Sequence, residues 1–251
     1  LGAELFLVIG AFSLLLFFLY IDLPMFSVIK TMFDTVNKPA LLAIPLYIFA
    51  GAVMARGEIA KRLIDLASAS LGWVKGGLAV SAVLACMFFA AISGSSPVTL
   101  VAIGSIIYPA LIAKGYNEKF SIGVLTTAGS LGILIPPSIP MIVFCIVTGA
   151  DVNKLFIAGI VPGIIAGILL ILLCIIFGYR YKLSTDTFSG KIFITSFKKG
   201  IPALIMPVLV LGGIYTGIYT VTEAASVAAI YAIFVEFVIF RQLKFRSLVE
   251  M

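Results

Sequence analysis

An apolar run at residues 77–113 is interrupted near its middle by the polar sequence SGSSP at 93–97. A helix needs about 20 apolar residues to cross a hydrocarbon core of about 30 Å. The run is too long for one such span and too short for two spans that turn outside the lipid. Each arm of roughly 16 residues would be about 24 Å long as an α-helix, so the polar tip would stop inside the membrane. We therefore predict a re-entrant helical hairpin, whose tip must be buried in protein or line a cavity.

Composition supports a membrane location for the whole chain. Of its 251 residues, 62% are hydrophobic and 11% are charged, whereas soluble domains carry about 25% charged residues. Several other apolar runs reach the length of a span, so the predicted fold class is an all-α polytopic membrane protein in a lipid bilayer. The formal charge of +6 does not indicate a nucleic-acid partner, because its distribution fits one face of a membrane.

The segment after the hairpin, 120–148, holds a second break. Its sequence GSLGILIPPSIP at 129–140 places glycines and three prolines where a helix would cross the membrane. Residues that precede proline avoid the helical region of backbone space, so a helix should stop and restart there. We predict two half-helices that are joined by an unwound segment.

The rest of the chain alternates between predicted helices and polar connections. Helices are expected at 4–20, 39–54, 155–179, 201–218 and 221–240. Connections are expected at 21–38, 151–154 and 180–200. The amphipathic pattern at 56–75 indicates either a helix along the membrane interface or an ordinary loop helix between spans. Helix starts are predicted at Asn117 and at a capping box of Thr220 and Glu223, and a small-residue packing face is predicted at Gly159, Gly163 and Gly167.

Basic residues orient these segments. If the hairpin is re-entrant, fourteen of the seventeen lysines and arginines lie on one side, including Lys244 and Arg246 near the end. A single crossing at 77–113 would lower the split to twelve against five, although two short full spans would keep the same parity. Cytoplasmic loops carry an excess of Lys and Arg, so the hairpin is predicted to enter from the cytoplasmic side.

The two breaks offer neutral groups that could bind an ion and a substrate. Unwound helices free carbonyl oxygens that suit sodium, and half-helix N-termini carry positive dipole ends that suit a carboxylate. No acidic residue lies at the depth of either break, which favours sodium over proton coupling. We expect the breaks to meet near the middle of the membrane and form half of a site, with these candidate residues: Ser93, Gly94, Ser95, Ser96, Ser130, Gly132, Pro136, Pro137 and Ser138.

The same residue types also occur in purely structural roles. Small residues and serines also mediate helix packing, with hydroxyls bonded one turn back, so one break alone would not indicate a site. Back-bonding is expected for Thr99 and Ser105, and helix capping for Glu223. An enzyme is disfavoured because the chain has no histidine and its lysines lie at the interfaces. The three cysteines have no metal-ligand spacing and are expected to be packing residues: Cys86, Cys145 and Cys174.

Several motifs resemble the large membrane subunit of the tripartite ATP-independent periplasmic (TRAP) transporters, the dicarboxylate-type M subunit. They are AIPLYIFAG at 43–51, GGLA at 76–79, ISGSS at 92–96, AIGS at 102–105, YPA at 108–110, KGY at 114–116, AGSLGILIPPSIP at 128–140, AGIVPG at 158–163 and GIYTVTEAA at 217–225. The motifs between 39 and 167 are the most specific. Val221 and Glu4 stand where the family often has proline.

The resemblance implies an elevator-type, sodium-coupled importer of organic acid anions, such as C4-dicarboxylates or sialic acids, in the bacterial cytoplasmic membrane. It implies two partners, a small four-helix membrane subunit and a periplasmic binding protein that delivers the substrate. Apart from sodium as the coupling ion, no cofactor is expected, and no residue is expected to be catalytic.

Family members are built from two inverted repeats, and this chain resembles the first, with the second expected to begin near Met251. The implied organisation is scaffold helices and an interfacial arm at 1–75, a transport core at 76–148 and further scaffold helices at 149–251. In the first repeat the hairpin tip and the unwound helix bind one sodium ion, and the matching residues are Ser93, Gly94, Ser95, Ser130 and Gly132. The alternative is a non-transporting scaffold or assembly subunit, in which the breaks only let helices pack.

Overall fold

The computed structural model describes residues 4–20, 24–183, 185 and 187–241. Within these residues the chain forms eleven α-helices and no strand, which confirms the predicted all-α class. Five helical stretches are long and apolar enough to cross a membrane: Pro39–Arg56, Ser96–Ala113, Val152–Arg180, Gly190–Tyr215 and Val221–Ile239. These stretches fit a polytopic membrane protein. Lys244, Arg246 and Met251, on which sequence expectations fell, lie outside the described residues.

The chain divides into two compact units, Leu1–Lys38 and Pro39–Met251. The first contains α1 (Leu5–Tyr20), which was predicted, and α2 (Met25–Val36), which was not. The prediction of a polar connection at 21–38 is therefore wrong over most of its length. Apolar residues recur in α2 at helical spacing, and this periodicity outweighs the scattered charges that suggested a loop.

The second unit contains the remaining helices. They are α3 (Ala43–Arg56), preceded by a 3₁₀ turn at Pro39–Leu42, then α4 (Ile59–Leu71), α5 (Gly77–Ser93), α6 (Ser96–Ala113), α7 (Glu118–Gly129), α8 (Ile139–Thr148), α9 (Val152–Arg180), α10 (Gly190–Tyr215) and α11 (Val221–Phe234), which continues into a π-helical turn at Val235–Ile239. The most buried helix is α5, which packs against α4, α6, α7 and α9, while α3 lies along α11. The three cysteines are unpaired thiols buried in this unit, as expected of packing residues.

Two predicted helix starts are present. Asn117 lies just before α7, and its side chain accepts a hydrogen bond of 3.3 Å from the backbone N–H of Phe120. At the start of α11, the Glu223 carboxylate accepts a bond of 2.8 Å from the N–H of Thr220, whose hydroxyl accepts one of 3.3 Å from the N–H of Glu223. These reciprocal bonds confirm the capping box and the capping role of Glu223.

Two other connections are shorter than predicted. The expected loop at 151–154 is helical from Val152, because the Asp151 carboxylate caps the first N–H groups of α9. The expected connection at 180–200 ends where α10 begins at Gly190. In that first part of α10, apolar residues recur at helical spacing between the basic ones. The helix therefore includes this basic stretch and does not begin only after it.

The amphipathic segment at 56–75 forms α4, whose apolar face is covered by protein. Ile59, Leu63 and Leu66 on this face are buried, and α4 packs against α5 and α10. This packing shows what covers the apolar face, and the choice between a helix along the interface and a loop helix between spans stays a prediction. The division into scaffold and transport segments at 1–75, 76–148 and 149–251 stays a prediction.

Candidate ion and substrate site

The tip of the predicted hairpin is a turn of two residues. The first arm, α5, ends at Ser93, and Gly94 then adopts a left-handed conformation with φ +61° and ψ 11°. Ser95 is extended, and α6 begins at Ser96 with Pro97 in its first turn, where the missing N–H costs no helical hydrogen bond. The helix–turn–helix geometry that the interrupted run predicted is therefore present.

Hydroxyl groups close the tip from inside. The Ser93 side chain is fully buried, and its Oγ lies 2.9 Å from Oγ1 of Thr99. Thr99 in turn donates a bond of 2.9 Å to the carbonyl of Ser95, which is the back-bonding expected for it. Ser93 therefore holds the turn together through Thr99, whereas Ser95 and Ser96 are only half-buried.

The second break runs between α7 and α8. Helix α7 ends at Gly129 and tightens into a 3₁₀ turn at Ser130–Ile133, after which the chain leaves helical geometry until Ile139. The Ser130 hydroxyl donates a bond of 2.7 Å to the carbonyl of Thr127, one turn back. The predicted pair of half-helices is present, with the unwound joint where the prolines lie.

Prolines release carbonyl groups in this joint. A helical carbonyl accepts from the N–H four residues later, and Pro136 and Pro137 have none, so the carbonyls of Gly132 and Ile133 lose their helical donors. The buried Ser138 hydroxyl donates a bond of 2.8 Å to the Ile133 carbonyl and so replaces the donor that this carbonyl has lost. Ser138 is thus held inward against its own segment.

The structure brings the two breaks into direct contact. The backbone N–H of Ile139, at the start of α8, donates a bond of 3.1 Å to the carbonyl of Gly94. A methyl group at Gly94 would lie 2.7 Å from the carbonyl oxygen of Pro137, and one at Gly132 would lie 2.9 Å from that of Ser95. Only glycine at these two positions allows so close an approach of backbone to backbone.

Backbone groups of both signs converge at this junction. Helices α6 and α8 both begin here, after the extended residues Ser95 and Ser138, and neither serine side chain caps its helix. The carbonyl of Ser93 lacks a helical donor because Pro97 follows four residues later. Exposed N–H groups at helix starts can bind an anion, and released carbonyls with hydroxyls can bind a cation.

Neutral oxygen atoms are the cation ligands that this junction offers. Among the described residues, no group of three or more His, Cys, Asp and Glu side chains is placed to hold a metal ion. The candidate ligands at this junction are the backbone and hydroxyl oxygens at 93–96 and 130–132, among which the carbonyls of Gly94, Ser95 and Leu131 already accept hydrogen bonds.

Glycines on neighbouring helices let the breaks pack deeply. In α9, Gly159 faces the carbonyl oxygen of Leu134 and Gly163 faces Ile135, so the predicted small-residue face lies against the unwound segment. In α3, a methyl group at Gly51 would lie 3.0 Å from Cβ of Ser93. The contact of Gly51 with Ser93 and the bond between the hydroxyls of Ser93 and Thr99 were not predicted from the sequence, whereas the bond from Thr99 to the Ser95 carbonyl was.

A surface groove of about 440 Å³ opens beside the tip, between α3 and α6. Its walls are mostly apolar, and its one charged side chain is Arg56, at the end of α3. The lining residues are Ala52, Ala55, Arg56, Pro97, Val98, Val101 and Ser105.

Comparison with known proteins agrees with the resemblance noted in the sequence. The family of the tripartite ATP-independent periplasmic transporter, DctM component, matches residues 1–251. The chain is 43% identical over 244 residues to the C4-dicarboxylate TRAP transporter large permease protein DctM of Vibrio cholerae. The matched region is 96% of the chain and 54% of that protein. It is 46% identical over 214 residues to the DctM protein of Pseudomonas aeruginosa, covering 85% of the chain and 50% of that protein.

A third relative is the ectoine TRAP transporter large permease protein TeaC of Halomonas elongata, to which the chain is 38% identical over 220 residues. The matched region is 87% of the chain and 51% of that protein. The chain thus spans about half the length of the curated relatives that it matches. These relatives are permease subunits, which confirms that the chain is not an enzyme. The chain belongs to the DctM component family of the tripartite ATP-independent periplasmic transporters.

Proposed function

We propose that this chain forms the first half of the permease of a sodium-coupled secondary transporter that imports organic acid anions. The observation that carries the proposal is the contact between the hairpin tip and the unwound helix, made by the bond from Ile139 to Gly94 and by the approach of Gly132 to Ser95. Two interrupted helices that meet at membrane depth are the usual way in which transporters assemble an ion and substrate site. The scaffold alternative is not favoured, because the named relatives are permeases.

Sodium would bind where released carbonyls and half-buried hydroxyls converge. We assign this role to the backbone of Ser93, Gly94 and Gly132 together with the hydroxyls of Ser95 and Ser130. The hydroxyl of Ser93 is engaged inside the hairpin, so this residue would contribute its carbonyl. The uncharged ligand set suits a monovalent cation, because no carboxylate is available to neutralise a second charge.

The carboxylate of the substrate would lie near the starts of α6 and α8. Ser96 and Ser138 frame this position, and Pro136 and Pro137 keep the joint from rewinding into a helix. The second repeat would supply the rest of the site. Relatives are named for C4-dicarboxylate and for ectoine, so we propose a class of carboxylate-bearing substrates and no single compound.

The proposed transport cycle is of the elevator type. The hairpin would be re-entrant and enter from the cytoplasmic side of the bacterial inner membrane, and the core at 76–148 would move against the scaffold helices. A small four-helix membrane subunit and a periplasmic binding protein would complete the transporter. The fourteen-to-three distribution of basic residues supports this orientation.

Uptake by the complete transporter tests the site. Both membrane subunits, with the full-length large subunit, are reconstituted in liposomes with the binding protein, and sodium-dependent uptake of a C4-dicarboxylate is measured. Ser95→Ala and Ser130→Ala should each raise the half-saturating sodium concentration by about tenfold, the effect of losing roughly 1.4 kcal/mol of ligand interaction. Ser226→Ala is the matched control, because this serine in α11 only back-bonds to the carbonyl of Thr222.

If sodium dependence is unchanged in both site variants, the proposed sodium ligands are wrong. A second measurement asks whether the junction meets water. A cysteine in place of Ser95 should react with a membrane-impermeant thiol reagent in at least one state of the transport cycle. Complete protection under all sodium and substrate conditions would favour a packing role.

A further inference from the structure

One buried carboxylate is not among the residues of the candidate site. Glu236 belongs to the π-helical turn at the end of α11 and is fully buried. Its two carboxylate oxygens accept bonds of 2.9 Å from the backbone N–H groups of Glu58 and Ile59. These N–H groups stand at the start of α4, where a helix has no internal acceptors for them. Glu236 therefore caps α4 from another helix, 178 residues away along the chain.

The chain just before α4 is shaped to receive this carboxylate. Gly57 is extended, with φ −92° and ψ −162°, so its backbone conformation is open to any residue. A side chain there is nevertheless excluded, because a methyl group at Gly57 would overlap the carboxylate of Glu236. Burying a charge is unfavourable unless it is fully hydrogen-bonded, and the positive end of the α4 dipole adds to the two bonds that stabilise this one.

A second contact joins the same two elements. Arg62, one turn into α4, lies with its guanidinium carbon 5.7 Å from the centre of the Phe240 ring, just after the π-helical turn. The same guanidinium is held by Glu58 at 3.0 Å. Two independent contacts therefore hold the first turn of α4 against the end of α11.

The position of α4 in the chain connects this attachment to the hairpin. Helix α4 is the covalent bridge between α3, which lies along α11, and α5, the first arm of the hairpin. If the start of α4 is held on α11, α4 adds a second connection between the hairpin and the α3–α11 pair, beside the direct packing of α3 on α5 and α6. A π-helical turn often marks a functional position in a helix, and here it carries Glu236.

We propose that Glu236 is a positioning residue that tethers the start of α4 to α11 and so fixes the point from which the hairpin is held. The inference rests on the proposed transport function, because the hairpin is taken as part of the moving site. A tether and a mere helix cap make different predictions. A cap can be supplied by any nearby acceptor, whereas a tether requires that the acceptor belong to α11.

The variant pair that separates them uses the space at Gly57. Glu236→Ala removes both the cap and the tether. Gly57→Asp combined with Glu236→Ala places a carboxylate in the vacated space, where an extended residue just before a helix can cap it locally. This double variant restores the cap without the connection to α11. Glu223→Gln is the control, because Glu223 is an exposed acid that caps only its own helix.

Uptake is measured in the complete transporter in liposomes. We expect Glu236→Ala to lower both the midpoint of thermal unfolding and the maximal uptake rate, the rate by roughly tenfold, while the half-saturating sodium concentration stays unchanged. The double variant should recover the unfolding midpoint but not the rate. Recovery of the rate by the double variant, or a wild-type rate in Glu236→Ala, would overturn the tether.

A direct distance measurement keeps failure of the tether apart from failure of the transport function. Spin labels on cysteines at Asp65 of α4 and Ile230 of α11, both exposed, should give a narrow distance distribution in the parent protein. The distribution should broaden in the double variant and stay narrow in Glu223→Gln. An unchanged distribution would contradict the tether. Absence of sodium-dependent uptake in the parent would instead contradict the proposed function.

Discussion

Two glycines decide how closely the breaks approach each other, for different reasons. Gly94 is left-handed, with φ +61°, a conformation that disfavours other residues, and its Cβ position also faces the carbonyl of Pro137. Gly132 has an ordinary backbone, and its requirement for glycine comes from the backbone of Ser95 and Ser96. The second position therefore tests contact between the breaks without changing local backbone strain.

We predict that Gly132→Ala destabilises the protein by about 1–3 kcal/mol, because the new methyl group meets backbone atoms that cannot turn away. Sodium-dependent uptake should fall with it. Gly123→Ala in α7 is the control, since a methyl group there meets nothing within 4 Å. Thermal unfolding of both variants in detergent checks the difference, and equal midpoints would contradict the contact.

The inward hydroxyls predict a coupling between Ser93 and Thr99. Their oxygens lie 2.9 Å apart in a buried tip, so removing either hydroxyl takes one hydrogen bond from the other, while the bonds that each makes to the backbone of Ser95 remain. In a double-mutant cycle of Ser93→Ala and Thr99→Val we expect a coupling energy of about 0.5–1.5 kcal/mol in stability. Additive effects would mean that the hydroxyls act independently, and Ser93 would then be free to serve as a ligand.

At the scale of elements, α9 fits the unwound segment because its contact face is made of glycines. Gly159 and Gly163 face residues of the break, whereas Gly167 faces the thioether of Met87 in the hairpin arm. Small residues let membrane helices approach closely, and here they admit a non-helical segment whose backbone could not be covered by larger side chains. The break is thus enclosed by α9 on one side and touched by the hairpin tip on another.

The nature of the neighbouring atoms ranks two of the glycines of α9, Gly159 and Gly167. Gly159→Ala should cost about 1–3 kcal/mol, because its methyl group would lie 2.8 Å from the rigid carbonyl of Leu134. Gly167→Ala should cost less, because the flexible Met87 side chain can move aside. Gly212→Ala in α10 is the control, because its methyl group would meet nothing within 4 Å, and it should be neutral or stabilising. Unfolding midpoints that rank Gly167→Ala below Gly159→Ala would contradict this order.

At the scale of the whole molecule, the number of times that residues 77–113 cross the membrane, odd or even, fixes the side on which every later loop lies. A re-entrant hairpin places both of its ends on one face, and the basic residues then fall mainly on that face. The five spanning stretches alone do not decide this parity, because α5 is a shorter apolar helix of 17 residues. The side from which each loop can be reached by a reagent is the property that decides it.

We predict that single cysteines at Lys119 and Lys191 react with an impermeant thiol reagent from the cytoplasmic side only. A cysteine at Lys154 should react from the periplasmic side only. The native cysteines are buried and serve as the unreactive background. Labelling of Lys119→Cys and Lys154→Cys from the same side would contradict the proposed topology.

Much of the fold could be predicted because its signals act within four residues along the chain. Glycine, proline and capping residues end and start helices locally, so both breaks, the starts at Asn117 and Thr220 and most spans follow from the sequence. The misses at α2 and at the start of α10 have a common cause. Charged residues at those places suggested loops, whereas apolar periodicity carries the helix past them.

Which atoms face the junction could not be predicted, because tertiary packing decides it. The serines of both breaks are visible in the sequence, yet Ser93 and Ser138 turn their hydroxyls inward, to Thr99 and to the carbonyl of Ile133. Glu236 reads as an isolated acid in an apolar helix, and its partners stand 177 and 178 residues away.

The sequence by itself determined that this is a helical membrane protein with two broken helices, since lipid leaves a polar tip and a proline-rich joint few other solutions. It also determined the family, through motifs spread along the chain. Only the tertiary structure decided that the breaks touch, that glycines of α9 enclose one of them and that Glu236 caps α4. Contacts between distant residues depend on how complete helices pack, and no local rule of backbone geometry contains that information.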